Sequence, residues 1–287
     1  MSQLNPLDFD SLWDYSNPEQ TEIKFREVLK QIPETESAHL ELMTQIARTQ
    51  GLQRKFDEAH QTLDEVEKNL KEESKVKVRY LLERGRAFTS SKQPDKAKSL
   101  FEEAFELAKK LKEDNYAVDA IHMLAIVADP ADSLNLNLQA IAYAESSSDE
   151  KARDWLGSLY NNTGWSYHDS GDYESALKIF EKAEAFRRSK NDASRLRIAT
   201  WAVARCLRSM NRIEESLSKQ MGLLKEFESV DETDGYVFEE IGECLLLLNR
   251  KDESKPYFAK AYEELSKDEF LVDNEPERLK RLKELGN

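Results

Sequence analysis

The sequence predicts an all-α fold, a solenoid of six stacked helical hairpins with a capping helix at each end, and three observations carry that prediction. Glycine and proline are scarce, nine and seven in 287 residues, about half the usual share, which leaves little material for β-turns. Charged residues make up 34% of the chain and apolar ones 39%, the balance expected where each helix buries one stripe and leaves the rest wet. A small residue recurs at Ala47, Gly85, Ala125, Gly164, Ala204 and Gly242, at intervals of 38 to 40. So regular an interval marks an internal repeat.

The leading cap occupies residues 1–37. Asn17-Pro18 opens a helix to about Ile32, with Phe25, Val28, Leu29 and Ile32 on one stripe, and Leu12, Trp13 and Tyr15 are expected to fold onto it. Six hairpins follow at about 38–74, 75–113, 114–148, 149–191, 192–230 and 231–267. Pro94 and Pro130 stand where the second helices of the second and third hairpins begin, a position where the missing N–H is not needed, and Asp129 is placed to cap the latter. Pro256 falls a few residues into its helix, which predicts an irregular start or a bend between Asp252 and Pro256. The charged stretches Lys109 to Asp114 and Ser146 to Lys151 predict longer helices or connections between hairpins. Asp268 to Glu275 reads as loop, and Pro276 opens a trailing cap with Leu279, Leu282 and Leu285 on its apolar side. Exposed hydrophobic ends of such an array need these covers.

Within each period the small anchor sits in a fixed pattern. The fourth hairpin reads Tyr160, Gly164, Trp165 and Tyr167, then Gly171-Asp172-Tyr173, then Ala176, Phe180 and Ala183. The second gives Leu81, Gly85, Phe88, Ala97, Phe101 and Ala104, and the sixth Phe238, Gly242, Leu245, Ser254, Phe258 and Ala261. Gly164 and Ala176 are twelve apart, so a hairpin can bring them together where its helices cross, and small side chains permit that approach. Asn137 and Ser216 replace the expected alanine in the third and fifth hairpins, where looser packing is expected. On these residues, from about 38 to 267, the chain resembles the tetratricopeptide repeat family. The period of about 39 exceeds that family's usual 34 or so and approaches the HEAT range, with the extra residues falling between hairpins. The resemblance implies a right-handed α-solenoid whose first helices line a concave groove that binds extended peptides.

Several function classes lack their signature. The chain contains no phosphate-binding glycine loop, no dinucleotide fingerprint, no H-E-x-x-H and no C-x-x-C, and His39, His60, His122 and His168 fall at different places in their repeats, so neither catalysis, metal nor cofactor is expected. Acidic residues outnumber basic ones 56 to 42, for a net charge of −14, which disfavours a nucleic-acid partner. No apolar run approaches the ~18 residues of a membrane span, and the opening residues lack a signal-peptide pattern; with two cysteines, Cys206 and Cys244, read as reduced core residues, a cytoplasmic location is expected.

Carrying the register across assigns Arg48, Arg79, Arg86, His122 and Met123 to the groove in the first three hairpins, the last two as filler. Asn161, Asn162, Trp165 and His168 follow in the fourth, Trp201, Arg205 and Arg208 in the fifth, and Glu239, Glu240 and Glu243 in the sixth. Asparagine offers a donor and an acceptor to a peptide backbone, tryptophan dominates interface hot spots, and arginine suits carboxylate or phosphate. The expected partner is another protein, presenting an acidic or phosphorylated segment with a hydrophobic anchor. Self-association through the convex face or the caps is the alternative. The carboxylate clamp of this family's chaperone co-factors is not expected: Asn162 matches it, but His122, Ile126, Ile198 and Ala202 stand at its other positions.

Overall fold

In the computed structural model, which describes residues 9–71 and 73–287, every regular element is helical, with no strand among the described residues. The chain forms two compact units, Met1–Leu159 and Tyr160–Asn287.

In the first unit a short 3-10 turn, Phe9–Leu12, precedes α1 (Pro18–Leu29). The Asn17 side chain caps α1 by accepting from the Gln20 amide at 3.2 Å. The helix stops at Leu29, short of Ile32, because Pro33 disfavours helical geometry in the residue before it; Ile32 still packs with Phe9, Phe25, Leu42 and Ile46. Three hairpins follow: α2 (Ser37–Leu52) with α3 (Phe56–Glu67), α4 (Lys75–Ser90) with α5 (Pro94–Leu111), and α6 (Asp114–Val127) with α7 (Pro130–Ser146). The extra residues before Asp114 lengthen α5 to 18 residues and leave a two-residue link. The first helix of the fourth hairpin is broken at Trp155 into α8 (Glu150–Asp154) and α9 (Leu156–Asp169).

In the second unit α9 pairs with α10 (Tyr173–Ser189), α11 (Ala193–Ser209) with α12 (Ile213–Ser229), and α13 (Gly235–Leu247) with α14 (Lys251–Leu265). Pro256 lies inside α14, which is assigned as one helix from Lys251 to Leu265. Asp268 to Glu275, expected as loop, contains the short helix α15 (Glu269–Asn274), started by the Asp268 carboxylate accepting from the Phe270 amide. The trailing cap is α16 (Pro276–Leu285), with Leu279 and Leu282 buried against the sixth hairpin.

Five hairpins turn in the same way. Arg54, Lys92, Gly171, Asn211 and Asn249 take left-handed φ values of 62°, 62°, 84°, 61° and 59°. The amide after each reaches back five residues, as in Gln93 N to Phe88 O at 2.8 Å and Arg212 N to Leu207 O at 2.9 Å. This is the Schellman closure of a helix end.

The small anchors also make room for an aromatic ring of the second helix. A Cβ on Gly85 or Gly164 would overlap the ring of Phe101 or Phe180, and one on Gly242 would lie 2.9 Å from Phe258. The glycine therefore makes room for an aromatic ring, and Phe101, Phe180 and Phe258 are fully buried. The fifth hairpin is not loosely packed at Ser216, which is buried and donates to the Ala204 carbonyl at 2.7 Å. Asn137 is buried too, with its side-chain oxygen unbonded.

Candidate functional site

In the first unit the candidate arginines stand on neighbouring first helices, where axes about 8–10 Å apart let long side chains pair laterally. Arg48 on α2 meets Glu83 of α4 at 3.5 Å; Glu83 also holds Arg86 at 2.8 Å, and Arg86 pairs with Asp119 of α6. Charges thus alternate across three helices. Burial lowers the Arg48 pKa, helped by the neighbouring Arg86 charge; burial opposes the charge on Arg86 too, but Asp119 and Glu83 outweigh it and raise its pKa.

Arg79, earlier on α4, donates to Glu41 at 2.8 Å, to the Tyr116 hydroxyl at 2.9 Å and to Asp10 at 2.9 Å. His122 on α6 lies 5.4 Å from the Trp155 ring, with Nδ1 buried and unbonded, and burial lowers its pKa.

In the second unit the aromatic candidates form a row. The Trp165 and Trp201 rings are 6.0 Å apart, and Trp201 continues to Tyr236 of α13 at 6.1 Å. The Trp201 indole donates to the Tyr236 carbonyl at 3.3 Å, while Trp165 leans on Phe180 at 5.0 Å and on His168 at 5.1 Å. His168 and Arg205 share the Ser209 hydroxyl, at 2.9 and 2.6 Å. Burial, then the Arg205 charge, lowers the His168 pKa.

Arg208 binds Glu240 through two bonds of 2.7 and 2.8 Å, and Arg205 reaches the same carboxylate at 3.2 Å. The carboxylates expected to make one end of the groove acidic are all engaged: Glu240 by these arginines, Glu239 by Arg278 and Glu243 by Arg281, both of α16. The Asn161 and Asn162 side chains meet at 3.5 Å, a long bond that leaves their amides hydrogen-bonding capacity.

Beside this row lies a cleft of about 430 Å³ between α11, the end of α12 and the start of α13, lined by Ile198, Trp201, Phe227, Tyr236 and Val237, with Arg197 and Glu232 among its polar lining residues. Arg197 bonds Glu232 at 2.8 Å and lies over Phe227 at 4.4 Å. Ile198 is 58% exposed. The size suits a small ligand or a bulky side chain. Register reasoning missed Ile198, Phe227 and Tyr236 as lining residues; the signal available was an aromatic recurring at 165, 201 and 236, an interval shorter than the repeat.

A tetratricopeptide repeat family model matches residues 78–111 and 157–189. No curated protein sequence matches the chain. Among solved structures, the apo form of RapI is similar over 91% of this chain and 76% of its own, with a TM-score of 0.74 at 15% identity. A signal-transduction ATPase with numerous domains and a tetratricopeptide repeat sensor, from Pyrococcus horikoshii, is similar over 92% of this chain and 41% of its own, at 0.73 and 12%. NprR in complex with its cognate peptide NprX is similar over 96% and 80%, at 0.50 and 15%. At these identities the likeness is one of fold.

Proposed function

Because this chain is a tetratricopeptide-repeat protein, we propose that it is a non-catalytic adaptor that holds a peptide or helix of another protein on the first-helix face of its second unit. The observation that carries this reading is the Trp165–Trp201–Tyr236 row opening beside a cleft with exposed Ile198. A bulky apolar side chain fills the cleft, and the Asn161 and Asn162 amides bond the backbone beside it. Arg205 and Arg208 share the Glu240 carboxylate, two positive charges against one negative, which favours an acidic or phosphorylated segment. NprR, of the same fold, was solved with a peptide, which supports the class of ligand. We assign the adaptor to the cytoplasm, in keeping with the free, buried thiols of Cys206 and Cys244; no helix among the described residues is long and apolar enough to cross a membrane.

The test is a displayed peptide library bound to the full chain. Recovered peptides are expected to pair a large apolar residue with acidic or phosphorylated ones, and Ile198→Asp to weaken them about 30-fold, the size of an interface hot spot. Unchanged binding by the Trp165→Ala, Arg205→Ala double variant would refute the reading.

A second reading is favoured by Phe270, 65% exposed, and Val272 beside it on α15: self-association through the trailing cap. Light scattering distinguishes it, since Phe270→Lys then converts a dimer to a monomer.

A further inference from the structure

One anionic partner of Arg79 comes from outside the repeats. Arg79 is only 7% exposed, and its guanidinium binds Glu41 of α2, the Tyr116 hydroxyl of α6 and the Asp10 carboxylate. Asp10 also meets Lys151 of α8 at 3.4 Å, and Lys75 shares Glu41 at 2.9 Å. Without Asp10, Arg79 and Lys75 would divide the carboxylate of Glu41 between them, so a second anion at this position offsets a buried charge. The segment that delivers Asp10 is short and irregular. Phe9 is buried against Phe25 and Leu42, Trp13 donates to Gln45 of α2 at 3.1 Å, and Tyr15 stacks on Trp13 at 4.6 Å. It therefore rests on the first helices as a peptide would, with one carboxylate flanked by aromatic anchors.

We propose that Phe9–Tyr15 is a built-in occupant of an anion-binding site formed by Arg79 and Lys151, with Tyr116 and Glu41 holding the Arg79 guanidinium in place, and that an acidic peptide segment, an Asp or Glu beside a large apolar residue, displaces it. The proposal rests on the reading of the chain as a peptide-binding adaptor but uses a separate set of residues. A ligand gains the Arg79 and Lys151 contacts, offset by the cost of lifting Phe9 and Trp13. Binding at this site is thus set by competition with the chain's own segment, and freeing residues 9–17 is its consequence.

The test uses the full chain and a synthetic peptide, Phe-Asp-Ser-Leu-Trp-Asp-Tyr, with a control carrying asparagine for its first aspartate. Hydrogen exchange is followed over residues 9–17, where the Asp14 amide is held by the Thr21 hydroxyl at 3.1 Å. Saturating peptide is expected to speed exchange of that segment about tenfold, and the control to need an at least roughly tenfold higher concentration for the same effect, as the loss of one charge-assisted bond implies. Asp10→Lys should exchange at least as fast without peptide and bind the peptide about tenfold more tightly than the unaltered chain. Lys151→Ala, at an exposed position that does not endanger folding, should show faster exchange of the segment, by a smaller factor. Equal potency of peptide and control, no binding to Asp10→Lys, or unchanged exchange in both variants would overturn the proposal. Ile198→Asp should leave every one of these results intact, so failure of the second-unit site is read separately.

Discussion

Arg86 of α4 and Asp119 of α6 form an ion pair almost removed from water, their side chains 12% and 10% exposed. Glu83 supports Arg86 from its own helix at 2.8 Å. Stranding a buried charge costs about 3–5 kcal/mol. Arg86→Met leaves Asp119 without its arginine and Glu83 with only Arg48 at 3.5 Å, and should lower stability to urea by about that amount, whereas Asp119→Ala leaves Arg86 paired with Glu83 and should cost less. Equal losses in the two variants would show that Glu83 does not support the charge on Arg86.

Glycine substitutions should differ in sign by position. A methyl on Gly222 in α12 would meet nothing within 4 Å, so Gly222→Ala should stabilise by about 1 kcal/mol through helix propensity. At Gly164 the same change drives a methyl into the Phe180 ring; overpacking of about 1–3 kcal/mol should outweigh the propensity gain. Denaturant midpoints of the two variants should move in opposite directions.

The thiols should be inert in the native chain. Burial pushes Cys206 up to about 11 and raises Cys244 as well, and the thiolate is the reacting form. Iodoacetamide near neutral pH should label neither cysteine until the chain unfolds, and mass spectrometry should find labelling that tracks the denaturant transition.

The Asp10 contact should depend on acid. Burial pushes the Asp10 carboxyl up, but Arg79 and Lys151 outweigh this and hold its pKa below the ordinary value, which is about 3.9. A carboxylate with a depressed folded pKa contributes fully above its unfolded value and loses that contribution as pH falls through the folded one. Docking of residues 9–17 should thus be complete near neutrality and weaken below about pH 4. Carbon-detected NMR of the Asp10 side chain should give a midpoint below the ordinary one, and Asp10→Asn should remove this acid-dependent step; an ordinary midpoint would contradict the contact.

Much of the fold was legible because it is written periodically. The fixed interval of small residues marks a helical repeat, and Phe101, Phe180 and Phe258 recur with it. The turns were less evenly legible: Gly171, Asn211 and Asn249 are residue types that enter the left-handed region readily, while Arg54 and Lys92 adopt the same conformation without that signal. The site was legible in its residue types but not its pairings. Trp165 and Trp201 do meet, yet Arg86 and Arg208, read as facing a ligand, are paired with Asp119 and Glu240. A repeat register places a side chain on a face and leaves open which neighbour it reaches.

By itself the sequence determined what repeats: helices, their order, the small positions and the apolar stripes, all of which follow from local propensity and spacing along one chain. Tertiary structure alone decided the lateral relations, such as Asp10 reaching Arg79 across 69 positions and Tyr236 extending the tryptophan row. Those depend on the distance between neighbouring helices and on the reach of flexible side chains across it, quantities that no periodicity along the chain encodes.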